Sequence, residues 1–122
     1  MHLQYVRAAC LALMLAAIAA HAAVETKTVE YKDGDVVCEG FLAYPAGLAK
    51  PAPGIVVVHE WWGLNDYARE RARQLAEQGY VAFAADIYGK GRRSDTFDGA
   101  AALAAPFKSD RALMRRRIEL AR

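Results

Sequence analysis

Ile55-Val56-Val57-Val58-His59-Glu60-Trp61-Trp62-Gly63-Leu64-Asn65 is the stretch on which the fold turns. Four consecutive aliphatic residues without alternation predict a strand buried on both faces, as in a parallel sheet with helices packed on each side. In such sheets ligands bind beyond the carboxyl ends of the strands. His59, Glu60 and the two tryptophans stand at that end, and Gly63 lets the chain turn sharply into a helix.

Downstream, Asn65 is the expected cap of a helix over about residues 66–78. Asp66 and Glu70 lie near its positive end, Gly79 is its left-handed stop, and Ala68, Ala72, Leu75 and Ala76 form the inward face. Tyr80-Val81-Ala82-Phe83-Ala84-Ala85 is a second buried strand, so residues 55–85 make one right-handed β-α-β unit. Asp86-Ile87-Tyr88-Gly89-Lys90-Gly91-Arg92-Arg93 follows and is therefore expected on the same rim as Glu60.

Upstream, residues 24–31 alternate as an edge strand. Lys32-Asp33-Gly34-Asp35 supplies a hairpin turn, and residues 36–44 return. Pro45, Pro51 and Pro53 mark a surface connection. Beyond the β-α-β unit, residues 98–105 and 110–122 are expected as helices separated by Pro106. Leu113, Met114, Ile118 and Leu120 are available for packing, and Arg115-Arg116-Arg117 forms the wet face.

The amino terminus differs from all of this. Arg7 precedes an apolar run from Ala8 to Ala20, and Ala20-His21-Ala22 offers a small-x-small cleavage pattern. The run of ~13 apolar residues is shorter than the ~20 a spanning helix needs. Residues 1–22 are therefore expected to be a secretory signal peptide. The mature chain, starting at Ala23, is expected to be periplasmic or secreted, with no stable membrane insertion. Of the 16 basic residues only Arg7 lies in the leader, so 15 remain against 14 acidic ones, a net charge of +1 that suggests no nucleic-acid partner. Cys38 is then the one mature cysteine. It cannot form an internal disulfide, and in a strand it is expected as a small buried apolar residue.

Motif chemistry excludes more than it assigns. His59-Glu60 begins like a zinc-protease helix, but that signature requires a second histidine where Gly63 stands. No glycine-rich dinucleotide or phosphate loop follows the strand. The two serines, Ser94 and Ser109, lack the flanking glycines of a nucleophile elbow. Adjacent tryptophans cannot both face inward easily, so at least one is expected to line a pocket. Lys90, Arg92 and Arg93 read either as a solvated loop or as an anion site, and Glu60 either as a helix cap or arginine partner or as a functional acid.

His59-Glu60-Trp61-Trp62-Gly63-Leu64-Asn65 after an aliphatic strand, followed by Glu77-Gln78-Gly79-Tyr80-Val81-Ala82 and Asp86-Ile87-Tyr88-Gly89, closely resembles the dienelactone hydrolase family. The likeness runs from about Thr28 to Arg122 and covers roughly the first half of that family's domain. It implies an α/β-hydrolase-type doubly wound sheet of which only the amino-terminal strands and helices are present. The implied activity is hydrolysis of small-molecule lactones or esters by a Cys-His-Asp triad, with no metal or organic cofactor.

Residue by residue, Glu60 matches the glutamate that activates the cysteine, and Trp61 supplies the oxyanion amide. Trp62, Tyr88 and Lys90 are candidates for the substrate pocket. Lys90 stands where well-known members carry an arginine that binds the substrate carboxylate; it keeps the charge but loses the two-pronged geometry. The family's Gly-x-Cys-x-Gly elbow, aspartate and histidine are expected beyond Arg122. Cys38 and His59 match no triad position. The rival reading is a non-catalytic α/β binding protein or pseudo-enzyme. In the hydrolase sheet the Ile55 strand is flanked by the nucleophile strand; without that neighbour Ile55–Val58 is expected to present an apolar open edge that makes residues 23–122 poorly soluble alone.

Overall fold

A computed structural model describes residues 23–122. The signal peptide expected at residues 1–22 lies outside the described residues. β1 (Val24–Asp33) and β2 (Val36–Pro45) pair antiparallel in unbroken register from Val24↔Pro45 to Asp33↔Val36. Gly34, at φ +59°, opens their two-residue turn in a conformation that favours glycine. β3 (Gly54–Val58) leads into α1 (Asp66–Glu77) and then β4 (Val81–Ala85), which lies parallel to β3. β4 also pairs antiparallel with β2 at Phe41–Ala43, so the sheet order is β1-β2-β4-β3. α2 (Phe97–Ser109) and α3 (Arg111–Glu119) complete the chain.

Each sheet face has its own core. On one, Ala68, Ala72 and Ala76 of α1 pack against Phe41, Ala43, Ala82 and Ala84, small residues on both sides bringing helix and sheet close. On the other, Ala85, Ile87, Tyr88 and Ala104 are buried, with Val56, Leu103, Phe107, Met114 and Ile118 around them. Asn65 caps α1, its Oδ1 accepting from the Ala68 amide at 3.2 Å, and Gly79 at φ +97° follows the helix as expected.

Three expectations are corrected. β3 is not buried on both faces: Ile55, Val56 and Val57 are half-buried and Val58 is exposed. Among the described residues no strand pairs with its outer edge, and a groove of about 670 Å³ opens beside Ile55, Val56 and Phe83. Pro106 does not separate the last two helices. α2 runs through it, and the break falls at Asp110, which caps α3 by accepting from the Leu113 amide at 3.0 Å. A proline removes one backbone hydrogen bond, whereas an acidic cap offers the next helix a start.

The third correction concerns the arginine run. Arg117 is no wet-face residue; it is 5% exposed. Its Nε donates to Asp33 Oδ2 at 2.6 Å, and one terminal nitrogen donates to Cys38 Sγ at 3.1 Å and to the Ile87 carbonyl at 3.2 Å. Arg116 donates to the other Asp33 oxygen at 2.7 Å. The Arg116 hydrogen bond, opposed by partial burial and reinforced by Arg117, holds the Asp33 carboxyl below the usual carboxylate range. Cys38 is buried as expected. Burial pushes its thiol up against the opposing pull of Arg117.

Candidate functional site

The carboxyl ends of β3 and β4 carry two loops, residues 59–65 and 86–96, tied to each other chiefly through backbone carbonyls. The Glu60 carbonyl accepts from the Gly63 amide at 3.3 Å, closing a tight turn, and from His59 Nδ1 at 2.5 Å. The Trp61 carbonyl accepts from the Tyr88 hydroxyl at 3.1 Å, and the Trp62 carbonyl from the Ser94 amide at 3.0 Å. Gly63, at φ +93°, passes so close to the second loop that a Cβ there would stand 2.6 Å from the Arg92 carbonyl oxygen.

His59 is buried under this turn. Its Nε2 accepts from the Ile87 amide at 3.2 Å, so Nδ1 carries the proton and the ring is neutral. Burial, outweighing the favourable bonds to backbone and the charge of Asp86, lowers its pKa below the ordinary histidine value. The ring meets Tyr88 edge-on at 4.7 Å.

Asp86 anchors the second loop. Its two carboxylate oxygens accept from the Glu39 amide at 2.9 Å and the Gly89 amide at 3.0 Å. The Tyr31 hydroxyl donates to the Asp86 carbonyl at 3.2 Å and accepts from the Asp86 amide at 3.0 Å. Burial, outweighing the bond to Asp86, pushes the Tyr31 hydroxyl up to about 12.

The residues singled out in the sequence fall into two groups. Glu60, Trp61 and Tyr88 come together along a cleft of about 210 Å³ that also includes His59, Phe107 and Met114. Glu60 is exposed, and among the described residues its carboxylate has no hydrogen-bond or ion-pair partner. Trp62 faces a separate cleft with Asn65, Arg93 and Asp95. Trp61, Trp62 and Phe97 form a ring cluster with centroids 5.1–5.8 Å apart. Tyr88 is buried, its hydroxyl engaged by the Trp61 carbonyl.

Lys90 stands apart from Glu60. Its ammonium pairs with Glu30 and, at 3.0 Å, with Glu39; Glu30 foremost and then Glu39 raise its pKa. Among the described residues no group of three or more His, Cys, Asp or Glu side chains could hold a metal ion.

This sheet order, with an acid-bearing turn after β3 tied to a tyrosine-bearing loop after β4, has relatives. Residues 38–121 match the profile of the family described as Dienelactone hydrolase. The chain belongs to the dienelactone hydrolase family. Over 78 residues it is 37% identical to Protein usf of Aquifex pyrophilus and 38% identical to a protein of Aquifex aeolicus provisionally named carboxymethylenebutenolidase. Each match covers 62% of this chain and 32% of the relative. The crystal structure of the dienelactone hydrolase-like promiscuous phosphotriesterase P91, from metagenomic libraries, superposes with a TM-score of 0.75 at 38% identity, over 81% of this chain and 41% of P91. The chain thus spans about a third to two fifths of the length of these relatives.

Arg117, Tyr31 and His59 were missed as organising residues. For Arg117 a signal existed: it falls on the helical face shared by Leu113, Met114 and Ile118, where a solvated arginine does not belong. Tyr31 and Asp86 are 55 residues apart, and no local pattern links them.

Proposed function

We propose that this chain supplies the rim of a hydrolase acting on lactone or ester bonds of small molecules. Glu60 is the acid that activates a cysteine nucleophile carried elsewhere in the complete protein, and the Trp61 amide is one oxyanion donor. Trp62 borders the substrate. The observation that carries this reading is the exposed, unpartnered Glu60 carboxylate on a turn held rigidly at the carboxyl end of β3. Family membership supports the same class of chemistry.

An acid free of partners can take a proton from a thiol, and the thiolate is the reactive form. An oxyanion donor is effective when it is fixed before charge develops. The test is turnover of p-nitrophenyl acetate by the complete protein and its Glu60→Ala variant. A fall in kcat of about a hundredfold or more is expected, on the scale of a lost acid-base group. Unchanged turnover would remove Glu60 from the mechanism. Because P91 is described as a phosphotriesterase, a phosphotriester belongs in the same assay. We further propose that the protein is exported, with Ala23 as the first residue recovered from the periplasm or medium. Recovery there of a chain still beginning at Met1 would contradict cleavage.

A further inference from the structure

We infer that His59 and Tyr88 are positioning residues that together aim the Trp61 and Trp62 backbone amides at the reacting centre. The inference rests on the hydrolase reading above, but the geometry behind it does not.

A trans peptide unit is planar, with its C=O and the following N–H pointing in opposite directions. Whatever grips a carbonyl therefore also aims the next amide. The Glu60 carbonyl is gripped by His59 Nδ1, and the buried imidazole is itself fixed by the Ile87 amide on Nε2. The Trp61 N–H of that same peptide unit must then point away from the buried ring. The Trp61 carbonyl is gripped by the Tyr88 hydroxyl, which aims the Trp62 N–H in the same manner. Among the described residues neither amide has an acceptor.

Two successive amides are thus left free while the three carbonyls of residues 60–62 are all engaged. An unconstrained turn would not hold that asymmetry, because each peptide plane could rotate to bring its carbonyl to the rim. The two gripping side chains also support each other, ring edge on ring face at 4.7 Å. Burial raises the Tyr88 hydroxyl above its ordinary pKa, so it remains a neutral donor through the working range. Neither residue needs to touch substrate. Each acts through a backbone amide, and the expected signature is a change in kcat with KM preserved.

The experiment uses the complete protein in four forms: wild type, Tyr88→Phe, His59→Leu and His59→Asn. An asparagine amide nitrogen can stand where Nδ1 stands and can still donate to the Glu60 carbonyl; leucine cannot. With p-nitrophenyl acetate, Tyr88→Phe and His59→Leu are expected to lower kcat by about tenfold, part of the 10²–10³ that loss of a whole oxyanion donor removes. KM should change little, and His59→Asn should recover most of the loss relative to His59→Leu.

Labelling with ¹⁵N-tryptophan, with signals assigned by Trp61→Phe and Trp62→Phe, reads the amides without any turnover. The Trp61 amide should shift or broaden in His59→Leu and be restored in His59→Asn, and the Trp62 amide should do so in Tyr88→Phe. Unmoved amides would overturn the inference whether or not the protein is active. Moved amides with unchanged kcat would overturn it as well. A wild-type protein without esterase activity would instead remove the hydrolase reading, leaving the spectra to decide whether these two side chains set the peptide planes.

Discussion

Asp33 and Arg117 form an ion pair whose two halves should be unequal in mutation. Arg117 is 5% exposed, and its one ion-pair partner among the described residues is Asp33. Asp33 has a second partner, Arg116, at 2.7 Å on its other oxygen. Asp33→Asn therefore strands a buried cation, a change that costs about 3–5 kcal/mol where no counter-charge remains. The asparagine oxygen still accepts one hydrogen bond, which places the expected loss near ~3 kcal/mol. Arg117→Leu leaves Asp33 paired with Arg116 and fills apolar space beside Phe107. Its main penalty is the Ile87 carbonyl, buried and deprived of its donor, at about 1–2 kcal/mol. The double variant should lie close to Arg117→Leu alone, because there is no longer a cation to strand. Urea unfolding of the complete protein gives the ordering directly. With slopes of about 1–3 kcal/mol per molar urea, the two single variants should differ in midpoint by about 0.3 to 2 molar. An Arg117→Leu loss equal to or larger than that of Asp33→Asn, or additive losses in the double variant, would refute this account of the pair.

Stability should fall with acid in part through His59. His59 is neutral when folded and its pKa is lowered, so below about 6.5 the unfolded chain binds a proton that the folded chain refuses, and stability drops as pH falls. A His59→Asn variant of the complete protein should reduce the fall in urea midpoint between pH 7.5 and 5.5; an unreduced fall would assign it to other groups. Gly63→Ala forces a side chain into φ +93° and against the Arg92 carbonyl oxygen; a loss of about 2 kcal/mol or more is expected in the same unfolding assay, and a neutral result would mean that the two loops move apart freely. Cys38, buried and with its thiol pKa raised, should resist a disulfide reagent in the native protein and react in urea, read by mass spectrometry of the peptide that carries it; rapid native labelling of that peptide would contradict the burial.

Much of the scaffold was legible because it is local. The β-hairpin follows from an Asp-Gly turn between strand-forming runs, α1 from Asn65, Gly79 and an alanine stripe, and the β3-α1-β4 unit from two apolar runs at the right separation. Likewise, Glu60, Trp61 and Tyr88 were placed on one rim because strand ends share a side of a parallel sheet. What escaped was decided by pairs distant in sequence. Arg117 is buried because Asp33, 84 residues earlier, lies at the end of β1 to receive it. The ion pairs of Lys90 with Glu30 of β1 and Glu39 of β2 likewise join residues 60 and 51 positions apart, which no local pattern links. The α2–α3 boundary was misplaced for a different reason: proline weakens a helix, but a capping acid decides where the next one starts.

The arrangement of the rim bears on how an acid and an oxyanion site can share one turn. On the proposed reading, Glu60 carries a carboxylate on the residue whose peptide unit provides the Trp61 oxyanion donor. A negative side chain this close to a developing oxyanion opposes it, since like charges at short range repel. The conflict disappears if Glu60 takes the thiol proton first. The carboxylate is then neutral when the oxyanion forms, and the negative charge has moved to the attacking sulfur and onward into the substrate. That sequence asks Glu60 to be mobile and the amide beside it to be still. The structure separates these demands: the Glu60 side chain is exposed and unpartnered, whereas its carbonyl is held by His59 and Gly63. On the proposed reading, activation and charge stabilisation can share one turn because the Glu60 side chain and the peptide unit it shares with Trp61 are constrained independently.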